Sequence, residues 1–274
     1  MYRMSTRRGR GGGCMGRLLI AGLLVGASLI TYFSSRQDNP VTGETQYVDI
    51  TPEQEIALGL QAAPEMAQQF GGLDPDQQAQ ARVDQIGQQI VEQSPAGRSP
   101  YRYDFHLLGD AQTINAFALP GGQIFITRAL YDRLQTDGEL AGVLGHEVGH
   151  VVGRHSAEQI AKAKLTEGLT GAAVIAAYDP DNPSSVGYAQ MAAMIAQLVN
   201  MRFSRQDELE SDYLGVCFIE DSGHDPRELV RVMNVLAEAS QGNAPPEFFS
   251  THPNPENRVQ RIEDAIQNLN QCPG

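Results

Sequence analysis

The sequence predicts an α+β fold, predominantly helical with one small mixed sheet, and three observations carry that prediction. Helix-start signatures recur along the chain, each a capping side chain followed by a proline. Period-two alternation of apolar and polar residues is confined to a short central stretch, and after Thr127 the pattern is almost wholly helical. With 274 residues, 41% of them hydrophobic, the chain suffices for one sizeable core, and no internal repeat is visible.

Taken in order, Arg3, Arg7, Arg8, Arg10 and Arg17 come first, without an acidic residue among them, and are followed by the apolar run Leu18 to Phe33. A basic flank before a membrane-seeking run places the following residues on the far side of the membrane. The run is slightly shorter than the roughly 20 residues of a spanning helix and longer than the core of many cleavable signals. Val25 and Ala27 could flank a cleavage site, but the run continues through Leu29, Ile30, Tyr32 and Phe33. Residues 1–36 therefore read as a basic N-terminus with a single membrane anchor through residues 18–33, cleavage of a signal being the alternative. Cys14 precedes the run and reads as a free thiol on the cytoplasmic side.

Residues 37–49 are polar, contain Pro40 and Gly43, and read as a linker, so the folded domain is expected over 50–274. Helices are expected to start at Thr51-Pro52 with Gln54, Asp74-Pro75 with Gln77, Asp225-Pro226 with Glu228, and Asn254-Pro255 with Asn257. Ser94-Pro95-Ala96-Gly97 breaks the helical pattern, and Tyr101, Tyr103, Phe105 and Leu107 then alternate with polar residues as in a strand. Two further extended pieces, Thr113 to Leu119 and Gln123 to Thr127, are joined by Pro120-Gly121-Gly122, a combination suited to a hairpin. The Ala-rich stretch from Leu169 to Tyr178 is too short to span a bilayer and is expected in the core or against the bilayer surface. Met191, Met194 and Met201, at helical spacing, are expected to fill core space or line an apolar cleft.

Composition narrows the function. Twenty Lys+Arg against 33 Asp+Glu give a net charge of −13, and no basic stripe follows the first 36 residues, which argues against nucleic acid as a partner. The absence of Trp removes the best stacking platforms, and three Cys exclude a disulfide-rich scaffold. Cys217 and Cys272 both lie on the expected oxidising side of the membrane, so a disulfide between them is expected, with two separate thiols as the alternative.

The chemistry concentrates in Gly145-His146-Glu147-Val148-Gly149-His150, where three of the chain's six His fall within Gly145 to Ser156. In a helix, His146 and His150 lie one turn apart on one face and can share a zinc ion. Glu147, rotated by about 100°, reaches a water activated by the metal and takes its proton. A third ligand is needed. His155 falls one residue early for the H-x-x-G-x-x-H continuation, where position 156 is Ser. Glu208 on a later helix is the candidate, with Asp212 on the same face accepting the outer N–H of a ligating His, while Glu210 points elsewhere, to water. His106, His224 and His155 read as packed or solvated residues, His155 bonding a helix end or an outer partner of the ligands. His252, on the Pro-stiffened loop Thr251-His252-Pro253, is either an oxyanion donor or a ligand that keeps the zinc latent.

From Asn39 to about Asn268 the chain resembles the membrane-associated zinc metalloproteases grouped with HtpX, the CAAX prenyl proteases and the periplasmic proteases BepA and LoiP. The resemblance is carried by Asn39-Pro40-Val41-Thr42-Gly43, Asn115 through Gly122, His146 to His150 with Arg154-His155-Ser156, Ser204-Arg205 through Glu208 to Asp212, and Thr251-His252-Pro253. It implies a gluzincin fold holding one zinc per chain through His146, His150 and Glu208, with Glu147 as base and Asp212 behind a ligand. It further implies that Asn115, Ala116, Phe117, Ala118 and Leu119 form the strand beside which an extended substrate lies. The expected function is a zinc endopeptidase of the bacterial envelope degrading misfolded or misassembled proteins, anchored in the inner membrane with its catalytic domain in the periplasm. The alternatives are a zinc-stabilised chaperone or binding module with little turnover, and a protein freed into the periplasm by signal cleavage.

Overall fold

In the computed structural model, which describes residues 12–177, 202–240, 246–255 and 257–273, the apolar run forms α1 (Gly12–Ser34). Leu19, Leu23, Ile30 and Phe33 of α1 project outward, all more than half exposed. No helix among the described residues is long and apolar enough to cross a membrane. The side chains of Cys14 and of residues 170–177, together with Tyr178, Met191, Met194 and Met201, lie outside what is described.

Residues 37–49, read as a linker, are instead an integral part of the fold. β1 (Arg36–Asp38) and β2 (Thr45–Tyr47) pair antiparallel, and Asn39 and Gln46 are buried. Polarity misled the reading because these side chains meet backbone carbonyls of a distant helix, a partnership that leaves no hydrophobic period in the sequence.

α2 (Pro52–Gln69) opens with a reciprocal capping box between Thr51 and Gln54. α3 (Gln77–Gln93) begins later than the Asp74-Pro75 signature suggests. Asp76 is the residue that accepts the N–H groups of Gln78 and Ala79, while Asp74 accepts that of Asp76.

β3 (Asp104–Leu108), β4 (Ala116–Leu119) and β5 (Gln123–Thr127) form a mixed sheet in the order β3-β5-β4, with β5 parallel to β3 and antiparallel to β4. Pro120-Gly121-Gly122 makes the hairpin turn, both glycines at positive φ. β4 starts three residues later than expected: the Thr127 N–H still donates to the Asn115 carbonyl, but the Asn115 N–H and the Thr113 carbonyl bond the Thr127 hydroxyl and not its backbone. Alternate residues of β5 face two cores. Ile124 and Ile126 pack with α3 and the later helices, whereas Phe125 stacks on Phe117 at 4.9 Å on the α2 side.

Among the described residues, the helical remainder comprises α4 (Arg128–Tyr131), α5 (Asp137–Val152), α6 (His155–Ala177), α7 (Arg205–Asp221), α8 (Glu228–Ala239), α9 (Phe248–Thr251) and α10 (Arg258–Gln267). α1 packs along α6, while α7 and α8 pack on α5. Gly149 permits the closest approach of α5 to α7, since a Cβ there would lie 2.8 Å from the Ser211 carbonyl oxygen. Asp225 folds the turn before α8 by accepting the Arg227 N–H instead of capping the helix, and Asn257 enters α10 from a left-handed conformation.

Cys217 and Cys272 form a disulfide that fastens the C-terminal end to α7. Its removal by a Cys217→Ala/Cys272→Ala double substitution is expected to cost about 2–4 kcal/mol. Melting temperatures of the two proteins without reductant check this, and equal values would show that the bridge adds nothing.

Candidate metal centre

α5 starts at Thr136, whose capping box with Glu139 sets the register that aligns His146 and His150 on one face. Their Nε2 atoms stand 3.1 Å apart. α7, started by a second capping box from Ser204 to Asp207, brings in Glu208. Glu208 Oε1 lies 3.4 Å from His150 Nε2, and Oε2 lies 3.6 Å from His146 Nε2. A tetrahedral ion with bonds of about 2.0–2.1 Å spaces its ligand atoms by roughly 3.3 Å, close to the separation of the two imidazole nitrogens and of each from a Glu208 oxygen.

His252 makes the fourth corner. Its Nδ1 is 3.3 Å from His146 Nε2 and 3.0 Å from Glu208 Oε1, and its ring stacks on Phe248. The structure thus places His146, His150, Glu208 and His252 in one buried group able to hold a metal. Glu147 stands beside it, fully buried, with neither carboxylate oxygen hydrogen-bonded and Oε1 3.6 Å from His252 Nε2. Buried carboxylates without partners are costly, so a cation and its water fit what the protein leaves unsatisfied.

The electrostatics separate the two glutamates. Burial pushes the Glu147 carboxyl above the usual range, against the pull of His252 and His146. Burial acts the same way on Glu208, but His252 and a hydrogen bond to His150 override it and hold that carboxyl well below the usual range. Burial, helped by His146 and His252 and opposed by Glu208, drives His150 well below its ordinary value, toward the neutral ring that a metal needs.

Behind the ligands, Asp212 Oδ1 lies 2.9 Å from His146 Nδ1. Arg258 grips Asp212 with two hydrogen bonds of 2.7 and 2.8 Å and reaches Glu208 Oε2 at 3.2 Å. Burial raises the Asp212 carboxyl, but the Arg258 guanidinium, with the contact to His146, outweighs it and holds Asp212 below its usual range. Sequence reading missed Arg258. A cation in the first turn of a helix opposes the helix dipole, and that anomaly was the available signal.

His150 Nδ1 meets His155 Nδ1 at 2.9 Å, and His155 Nε2 reaches Glu210 at 3.4 Å. Glu210 does point away from Glu208, but to His155 rather than to water. His106 bonds Gln123 and stacks on Phe125, and neither it nor His224 joins the group.

A cleft of about 350 Å³ opens beside the centre, lined by Asn115, Phe117, Leu119, Ser156, Phe203 and Thr251 among others. Phe203 stacks on His150 at 4.0 Å, so cleft and centre share a wall. β4 is the edge strand here, and the Asn115 side-chain oxygen is buried without a partner.

The model of peptidase family M48 matches residues 77–266, more than half of the chain and every residue of this centre. The chain belongs to peptidase family M48. This M48 chain is 28% identical over 251 residues to the mitochondrial metalloendopeptidase OMA1 of Schizosaccharomyces pombe, covering 90% of this chain and 71% of that protein. It is 29% identical over 267 residues to the beta-barrel assembly-enhancing protease of Escherichia coli, covering 92% of this chain and 51% of that one. OMA1 of Arabidopsis thaliana is 34% identical over 152 residues, 56% of this chain and 29% of that protein. The chain thus spans about half the length of the barrel-assembly protease it matches. Family and fold together make it a metalloendopeptidase built on an α+β, mostly helical zincin domain.

Proposed function

We propose that the metal is zinc, held by His146, His150 and Glu208, and that Glu147 is the general base of peptide hydrolysis. The observation that carries this reading is the convergence of two imidazole nitrogens 3.1 Å apart with one carboxylate, whose Oε1 lies 3.4 Å from His150 Nε2 and whose Oε2 lies 3.6 Å from His146 Nε2, a two-imidazole, one-carboxylate set suited to a catalytic zinc. When bound, the ion polarises the scissile carbonyl and acidifies water. Glu147, unpaired and raised by burial, accepts the proton of the attacking water and delivers it to the leaving nitrogen. Asp212, held by Arg258, orients His146 through its Nδ1.

The substrate lies extended along the strand Asn115, Ala116, Phe117, Ala118 and Leu119, with the backbone groups that β5 leaves unpaired on the free edge of β4 offering hydrogen bonds and the cleft receiving side chains. Only an unfolded segment presents itself in that form, which supports misfolded or misassembled envelope polypeptides as substrates, as does the similarity to a protease named for barrel assembly. The exposed apolar row of α1 supports a single N-terminal anchor in the bacterial inner membrane, with the catalytic domain periplasmic. The protease domain then begins at the β1–β2 hairpin, directly after the anchor.

The test uses the full chain in detergent with an unfolded reporter protein. Cleavage that stops on chelation and returns with zinc, at one ion per chain, supports the reading. Metal retention with suppressed aggregation and no cleavage would favour a binding module instead.

His252 Nδ1 stands at the fourth corner of the donor set, which favours the latch over the oxyanion donor. His252→Ala is therefore expected to raise basal proteolysis with zinc retained. A fall in kcat by a factor of about 10² to 10³ would restore the oxyanion role. An unchanged kcat would leave His252 as structure only.

A further inference from the structure

The motif Asn39-Pro40-Val41-Thr42-Gly43 has no part in the chemistry described above, yet Asn39 is 3% exposed and reaches the end of the metal-bearing helix. A helix leaves its last carbonyls without partners, and at the end of α5 they fall immediately after His150. Asn39 Nδ2 donates to the Val152 carbonyl at 2.7 Å, and Gln46 Nε2 donates to the Gly153 carbonyl. Asn39 Oδ1 meanwhile accepts the N–H groups of Val41 and Thr42 at 2.9 and 3.1 Å, so one amide both folds the hairpin and caps the helix.

The next residue is also fixed from the N-terminal side. Arg154 sits at φ 56, a conformation that costs a residue with a Cβ, and its guanidinium is held by buried Glu55 and by the Ile50 carbonyl. Three successive residues, 152 to 154, are therefore clamped by Asn39, Gln46 and Glu55. The clamp turns the chain back so that the His155 ring crosses Gly153 and meets His150 Nδ1 at 2.9 Å. A Cβ on Gly153 would lie 2.5 Å from the His155 Nε2, so the reversal requires glycine there.

We propose that Asn39 and Gln46 are positioning residues of the metal centre, acting through the 152–154 reversal to seat His155 behind His150. The hairpin that carries them follows α1 by a single residue, so the apolar helix and the metal helix are joined through this cap without a slack linker. The proposal rests on the reading of His150 as a ligand. Its mutational arms leave the three proposed ligands and the base untouched.

The experiment uses the full chain in detergent and measures zinc affinity by chelator competition, kcat and KM on an unfolded reporter, and the melting temperature of the zinc-free protein. Asn39→Asp keeps the acceptor for Val41 and Thr42 but replaces the donor to Val152 with a repelling oxygen. It is expected to weaken zinc about 10- to 100-fold and to lower kcat with KM unchanged, the range seen when a ligand loses its outer partner. Gln46→Glu is the parallel variant, expected to act in the same direction, and decides the matter if Asn39→Asp does not fold. Combined with His155→Ala, either substitution should add little, because both act through the same ring. Zinc affinity and kcat within twofold of the parent, or effects that add fully to those of His155→Ala, would overturn the proposal. A parent protein that binds no zinc would instead overturn the metal reading.

Discussion

Glu147→Gln is expected to lower kcat by a factor of about 10² to 10⁴ while zinc content and fold stay as they are. The amide has the shape of the carboxylate but cannot accept a proton from water. Glu147 is fully buried, its oxygens have no hydrogen-bond partner, and it contributes no edge to the donor set of His146, His150 and Glu208. Removing its charge should therefore spare metal binding, and by relieving an uncompensated buried carboxylate it should not destabilise the fold. Metal analysis and kcat on the same preparation check both halves. Substantial residual proteolysis would sink the general-base assignment, and loss of zinc would make Glu147 a ligand.

Glu208→Ala is expected to have the larger effect on the metal, exceeding the roughly 10- to 100-fold that loss of an outer partner costs. Two imidazoles alone then remain of the proposed three ligands. The substitution also strips Arg258, itself 2% exposed, of one of its two carboxylates. A buried charge left short of its partners destabilises the fold, by about 3–5 kcal/mol when a pair is broken outright. Glu208→Gln separates the two effects, since it fills the same space and should weaken zinc with less disturbance of packing. Glu210→Ala is the comparison, because Glu210 touches His155 and none of the proposed ligands. Zinc retained in Glu208→Ala and lost in Glu210→Ala would move the third ligand to Glu210.

Much of this centre was legible because helical period is written in one dimension. The spacing of His146, Glu147 and His150 fixes two imidazoles on one face, and the spacing of Glu208 and Asp212 does the same for a carboxylate and its neighbour. The capping signatures at Thr51 and the Pro120-Gly121-Gly122 turn are equally local, and the structure keeps both. Asp74 and Asp225 show the boundary of that reasoning. Each is followed by Pro and makes an Asx-type bond, but which N–H groups it accepts depends on how the entering chain packs.

By itself, then, the sequence determined the class of fold and singled out the residues proposed to carry the chemistry and the elements that hold them, since each of these follows from interactions within a few residues. Only the tertiary structure decided which atoms distant residues meet. His252, Arg258 and Asn39 lie 106, 46 and 113 residues from the partners they meet at His146, Asp212 and Val152. No period in the sequence encodes such pairings. They arise because a buried charge or orphan carbonyl must find a partner, and burial is settled only when the helices pack.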